Sequence, residues 1–165
     1  MATTTNYPVS GTDFANIDEG TDSPNDADYH QVNGNGTENV RQWGMGNMPS
    51  NLDTVTAVEV KVRLSKLSSK GDNVSWSSMQ LFQSDGTTPL IASQSQGSTT
   101  TITTYTHTPT ITGSTSKAAW DGFKLQMKTN TGTASAAVIY AAQVTITYTE
   151  AATPTVQRRV TFIGV

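Results

Sequence analysis

The chain predicts an all-β fold, an antiparallel β-sandwich of about eight strands. Three observations predict it. Apolar and polar residues alternate with a period of two: Val58, Val60, Val62 and Leu64 fall on one face, Glu59, Lys61, Arg63 and Ser65 on the other. That is the pattern of a strand with one dry and one wet side. Such runs recur at intervals of roughly 10–15 residues, with no helical period between successive strands. Hydroxyl groups also stand in for charge: 29 of the 165 residues are Thr and 16 are Ser, while only 14% are Asp, Glu, Lys or Arg. A Thr on a wet strand face combines the branched shape that suits a pleat with a hydrated hydroxyl.

The elements follow in order. Residues 1–13 are polar, with Pro8 and Gly11, and read as an extended arm with no partner in its own sandwich. Residues 14–19 read as a short edge strand and 20–28 as a loop around Pro24 and Asn25. Residues 29–32 read as a strand, and Asn33-Gly34-Asn35-Gly36 predicts a hairpin turn, because Asn and Gly both accept positive φ. Residues 40–45 then form its return strand. Residues 55–67 are the clearest strand, and Ser68-Ser69-Lys70-Gly71-Asp72 is a turn. Residues 74–84 alternate again, but the apolar phase slips between Trp76 and Met79, which predicts a bulge near Ser77-Ser78. Residues 90–95 form a short strand. Residues 99–112 are almost pure Thr around Ile102, Tyr105, His107 and Ile111. Lys117-Ala118-Ala119-Trp120 is the one stretch that predicts a helical turn. Phe123, Leu125 and Met127 mark another strand, Asn130-Thr131-Gly132-Thr133 a turn, and residues 136–149 a second long strand with Val144, Ile146 and Tyr148 on one face. Residues 14–150 therefore read as one domain, followed by a linker and tail over 151–165.

Composition excludes several classes of function. Without Cys there is no disulfide framework, Fe–S cluster or thiol nucleophile, and two His, His30 and His107, exclude a His-rich metal site. A net charge of −3 and a pI near 5.2 argue against a phosphate-binding surface, so no nucleic-acid partner is expected. The first residues lack the basic and apolar regions of a signal peptide, and no stretch approaches the ~18 apolar residues of a membrane span.

The order of segments carries a resemblance. Phe14-Ala15-Asn16-Ile17-Asp18-Glu19 is followed by Pro24-Asn25-Asp26-Ala27-Asp28-Tyr29; a long strand through Val58, Val60 and Val62 comes next, then Trp120-Asp121-Gly122-Phe123, and a final strand through Val144 and Ile146 that reaches Tyr148. Over residues 14–148 this resembles a jelly-roll module of tailed-bacteriophage virion proteins, with Phe14 where that module has Trp and Asn25 in place of one Asp. The resemblance implies a virion structural protein rather than an enzyme. It points to a capsid decoration (cement) protein, made in the host cytoplasm, that bridges major capsid subunits as a homo-oligomer, a trimer. The alternative it leaves open is a carbohydrate-binding module of a tail fibre or tail tip.

Candidate sites are few. The acidic loop offers Asp18, Asp22, Asp26 and Asp28 as oxygen ligands for Ca²⁺, but its spacing fits no EF-hand, and a solvated loop with local turn capping is the simpler reading. No cofactor is expected. Glu19, Glu38, Glu59 and Glu150 are the carboxylates available for glycosidase chemistry, and nothing in the pattern pairs them. His30 and His107 read as surface or edge residues. Trp76 shares the phase of Val74 and reads as core, and Trp120 as a plug at one end of the sandwich. Trp43, with Met45 and Met48 in a Gly/Met-rich segment, reads as an interface anchor. In the tail, Val160, Phe162 and Val165 alternate imperfectly; Phe162 and the pair Arg158-Arg159 suit contact with a partner, either by adding a strand to a neighbour's sheet edge or by closing the chain's own sandwich.

Overall fold

The computed structural model describes residues 1–11, 14–17, 21, 26–67 and 74–152. Among these residues ten strands form: β1 (Ala2–Asn6), β2 (Ser10–Gly11), β3 (His30–Asn33), β4 (Val40–Gly44), β5 (Leu52–Leu67), β6 (Trp76–Phe82), β7 (Gln94–Ser95), β8 (Thr103–His107), β9 (Lys124–Thr129) and β10 (Ala136–Glu150). A 3₁₀ turn at Phe14–Asn16 and a single helical turn, α1 (Lys117–Trp120), complete the described elements. All pairings between strands are antiparallel, in two sheets. The first runs β1-β10-β5-β8, with β3 on the edge of β10 that β1 also uses; the second runs β2-β4-β9-β6-β7.

The alternation seen in the sequence fills the space between the sheets. Val58, Val60, Val62 and Leu64 of β5 and Val144, Ile146 and Tyr148 of β10 point inward, against Trp43, Trp76, Met79, Leu81, Leu125 and Met127 of the second sheet. The Trp43 and Trp76 rings meet edge to face, 6.5 Å apart. The Trp76 indole N–H donates across the core to the Val138 carbonyl at 3.0 Å, so the polar end of a buried aromatic is satisfied by the opposite sheet. Trp120 closes one end, with its indole N–H on the Ser114 carbonyl and its ring 5.6 Å from Phe123. The expected slip lies where the sequence placed it, as a register shift between Trp76 and Ser78.

Three expectations are corrected. Residues 1–11 are not a free arm: β1 pairs along β10 from Ala2↔Tyr148 to Asn6↔Val144, and β2 pairs with β4 in the other sheet. Residues 14–16 form a 3₁₀ turn instead of an edge strand. Asn33-Gly34-Asn35-Gly36 does not close a hairpin, because β3 pairs with β10 and β4 with β9, in different sheets. The glycines serve another purpose. The strip lies against residues 132–135, with the Gly34 amide on the Ser135 carbonyl (3.0 Å) and the Gly36 amide on the Gly132 carbonyl (3.2 Å). A Cβ at Gly34 would stand 2.8 Å from the Gly132 carbonyl oxygen. Asn-Gly signals a tight chain reversal or a close approach; here the close approach wins and carries the chain from one sheet to the other.

The turn joining β6 to the 89–96 segment is held by Asp85, whose carboxylate accepts from the Thr87 and Thr88 amides (2.8 and 2.9 Å) and from the Thr88 hydroxyl. These bonds, the Thr88 hydroxyl foremost, hold the Asp85 carboxyl down at about 2. A carboxylate with a lowered folded pKa adds stability above its unfolded value, and that stability is lost as pH falls through the folded value. Thermal melts from pH 7 to pH 2 are expected to show stability falling between about pH 4 and pH 2. Asp85→Asn is expected to be less stable at neutral pH and to flatten that part of the profile. Gly34→Ala is expected to cost about 1–3 kcal/mol in urea unfolding, as an overpacked site does; a neutral result would show that the 33–36 strip is not held against residues 132–135.

Candidate functional site

The two outer faces of the sandwich differ. On the second sheet, Gln42, Gln126 and Gln80 stand in one row across β4, β9 and β6. Their amides are spent internally: Gln42 donates to Gln126 (2.9 Å) and to the Gly86 carbonyl (2.7 Å), and Gln80 donates to the Ile91 carbonyl (3.0 Å). Part of the first sheet's outer face is covered as well. There the Thr21 amide donates to Gln143, Tyr29 packs on Tyr140, and Asp26 forms a two-bond pair with Arg63 at 2.7 and 2.6 Å. The Arg63 bonds hold the Asp26 carboxyl below its ordinary value.

Among the described residues nothing covers the rest of that face, and Thr dominates it. Thr3 and Thr5 of β1 lie opposite Thr147 and Thr145 of β10, which lie opposite Ala57 and Glu59 of β5; Thr104 and Thr106 of β8 lie opposite Arg63 and Lys61. The Thr5 and Thr145 hydroxyls are hydrogen-bonded at 3.2 Å. Among the described residues, the charges on or over this part of the face stand in two pairs, Glu59 with Lys61 (3.5 Å) and Asp26 with Arg63 (2.6 Å), and Asp53 lies at its end beside Thr149. The result is a pleated hydroxyl surface whose charges cancel locally.

Beside it lies a groove of about 610 Å³. Its origin is a break in the edge of the first sheet. β8 covers β5 only over Val60–Leu64. The chain then leaves through Thr108-Pro109, where proline offers no N–H to a ladder, and pairs Ile111 with Ile91 on the second sheet. It returns to β5 only at Thr115, whose carbonyl accepts from the Val55 amide (2.8 Å), and at the Thr54–Ser116 bridge. Among the described residues, no backbone hydrogen bond reaches residues 56–59 of β5 from the 108–114 segment. Thr56 is itself an extra residue, since Ala57 and Val55 pair with consecutive Thr147 and Tyr148. Val55, Val58, Pro109 and Ile111 give the groove apolar walls, and Glu59, Thr145 and Thr147 line its side toward the hydroxyl face.

The residues singled out from the sequence fall elsewhere. Trp43, Met45 and Met48 are core, not interface: Trp43 is 0% exposed and Met48 5%. β4 turns Trp43 inward toward His30 and Trp76, and the Gly/Met segment after it closes one end of the sandwich, pinned by Asp121 on the Met48 amide (2.9 Å) and by Phe123 on the Met45 amide (2.8 Å). Arg158, Arg159 and Phe162 lie outside the described residues, as do Asp18, Asp22 and Glu19. Of the loop acids, Asp26 is engaged by Arg63 and Asp28 is exposed; among the described residues no three His, Asp or Glu side chains gather as metal ligands. Glu38, Glu59 and Glu150 are dispersed, on Lys128, Lys61 and Asn51 respectively. His30 lies on the edge strand β3 but is buried under Trp43 rather than at the surface. His107 is half-buried, 2.6 Å from the Gln96 side-chain oxygen, and burial pushes its pKa below the ordinary 6.5.

The groove was missed, although a signal for it was present. Val55 and Val58 are three apart inside a period-two run, the same kind of phase slip that marked the Ser77-Ser78 bulge. Trp43→Ala is expected to lower stability by about 3–5 kcal/mol in urea unfolding, as a cavity-forming core truncation does; an interface residue would leave the midpoint unchanged. In an NMR titration the His107 ring is expected to protonate below 6.5. Its neutral form is favoured in the folded state, so its share of stability is lost as pH falls from 6.5 toward that lower value.

The chain matches no protein-family model, no curated protein and no solved structure.

Proposed function

We propose that this chain is a structural protein of a tailed-phage particle with the jelly-roll form of sandwich, and that it acts as a capsid decoration (cement) protein. The observation that carries the reading is the open hydroxyl face of the first sheet, where Thr3, Thr5, Thr145, Thr147, Thr104 and Thr106 surround charges already paired with each other. A face of this kind packs against copies of itself or against a capsid lattice without burying an unpaired charge. Its hydroxyls adapt to either donors or acceptors on the other side. The motif resemblance over residues 14–148 supplies the particle, and the face supplies the means of attachment.

The mechanism is mechanical. Copies associate, as trimers in this reading, and each assembly spans neighbouring major capsid subunits. Modest contacts made several at a time resist the outward pressure of packaged DNA through avidity. The carbohydrate-binding alternative needs exposed aromatic rings for stacking; Trp43, Trp76 and Trp120 are all in the core, which leaves Tyr7 and Tyr29 as the exposed rings among the described residues and favours the decoration reading.

The test is binding to tailed-phage heads assembled without this protein. Saturable co-sedimentation is expected, with a rise in the temperature at which the heads release DNA. Thr5→Lys with Thr106→Lys places like charges on the open face. That variant is expected to keep its stability within about 0.5 kcal/mol, as surface substitutions do, and to bind heads at least tenfold more weakly. Saturable binding on a glycan array without binding to heads would replace this reading with the tail-fibre one.

A further inference from the structure

The groove at the broken edge of the first sheet has the form of a strand acceptor. Residues 56–59 of β5 make no backbone hydrogen bond with the 108–114 segment beside them, the walls are apolar, and the gap is bounded by β8 at one end and the Thr54–Ser116 bridge at the other. Four residues at about 3.3 Å each give a slot of ~13 Å, enough for a short extended segment. An added strand gains main-chain hydrogen bonds along the edge and places alternate side chains against the walls.

We propose that this slot receives residues 153–165 of a second copy of the chain. Three observations select that occupant. The run Val160-Thr161-Phe162-Ile163 consists of β-branched and aromatic residues, the composition of a strand. It carries Arg158 and Arg159 and no acid, whereas the slot is lined by Glu59, with Asp53 further along the same strand, so an arriving Arg competes with Lys61, 3.5 Å away, for the Glu59 carboxylate. Its 13 residues span up to about 45 Å when extended, ample to reach a neighbouring molecule.

The direct path along the edge of β5 into the chain's own slot is occupied. β10 ends at Glu150, opposite Leu52, and the Ala151 amide is held by the Asn51 carbonyl at 2.9 Å. From there the path around the start of β5 is crossed by the Thr54–Ser116 bridge and the bond from Val55 to Thr115. A neighbour's segment can enter from the open side of the groove, without following that edge. Because donor and acceptor are different surfaces, the contact is heterologous and closes into a ring when the rotation between copies allows it. The proposal takes from the preceding reading only that copies associate, and binding to heads is not among its readouts.

Disulfide trapping tests it cleanly, because the chain has no Cys. Full-length Ala57→Cys, at an exposed position beside the slot, is mixed with full-length variants carrying one Cys at 160, 161, 162 or 163 in turn. The expected result is an intermolecular disulfide that forms several times faster with alternate positions of the four than with their neighbours. Absence of any such disulfide, or equal trapping at all four positions, overturns the proposal. If the double variant Ala57→Cys with Thr161→Cys instead closes within one chain at high dilution and stays monomeric, the second-copy occupant is wrong. Charge reversal gives an independent readout in the Cys-free chain. Glu59→Lys is expected to shift sedimentation toward monomer by tenfold or more in concentration, and Arg158→Glu with Arg159→Glu in the same chain is expected to reverse the shift. An oligomer indifferent to both changes overturns the charge contact and with it the assigned occupant.

Discussion

The pairing of β5 with β10 sets what every other strand can do. These two strands lie side by side from Ala136↔Leu67 to Glu150↔Leu52 and are the longest in the molecule. A ladder of this length with a strict period of two would be too regular for a closed sandwich, because twist accumulates along the pair. Three extra residues relieve it: Tyr140 on β10, Thr56 and Asp53 on β5. Each re-phases the side chains. Beyond Tyr140 the inward residues change from Ala137 and Ile139 to Ala142, Val144 and Ile146. At Thr56 they change from Val58 and Val60 to Val55. A long pair can thus follow the curved core and keep an apolar residue facing Trp43 and Trp76 along its length.

The same device accounts for the open edge. A bulge bends its strand and disrupts the ladder locally, and Thr56 sits where no neighbour continues β8. The 108–114 segment is drawn away to the second sheet, where Ile111 pairs with Ile91 and the Thr112 and Gly113 amides reach the Leu90 carbonyl at 3.0 and 3.1 Å. Closing the side of the sandwich and covering the edge of β5 compete for one stretch of chain. The closing contacts bury Leu90 and Ile91 completely, a gain of about 1.5–3 kcal/mol per side chain. A few edge hydrogen bonds are each worth roughly 1 kcal/mol net against water. The apolar term wins, and an unpaired edge is what remains.

Much of this was legible in the sequence, and the limits have physical causes. β5, β9 and the last part of β10 announce themselves through alternation, whereas Ala136–Val144 of β10 is buried on both faces and reads as a continuous apolar run. The Ser77-Ser78 bulge was visible as a broken phase, and α1 as the one run of Lys and Ala before a Trp. What alternation cannot give is partnership. β1 reads Ala-Thr-Thr-Thr-Asn, too polar to signal burial, yet it is tied to β10 by main-chain bonds that any residue makes. β3 and β4 are separated by a strong turn signal, yet they belong to different sheets, since Asn-Gly tolerates both a hairpin and a close backbone approach. Trp43, Met45 and Met48 sit among glycines that suggest exposure; their burial depends on Asp121 and Phe123, more than 70 residues further along. The resemblance to the phage module concerned the order of segments and was silent on all of these contacts.

Low charge links the fold to its proposed use. Charged residues on an edge strand are a common guard against unwanted pairing, and a protein that solubilises its strands with Thr gives up much of that guard. At residues 56–59 the only charged side chain is Glu59, already held by Lys61. An edge so lightly defended, set in a groove with apolar walls, is a liability if it stays open in a free monomer. It ceases to be one if a particular strand fills it. The 153–165 segment carries Arg158 and Arg159 and a β-branched and aromatic run, so in the proposed contact it would cover the open edge of another copy. The Thr-rich face beside the groove adds area to the contact without adding repulsion.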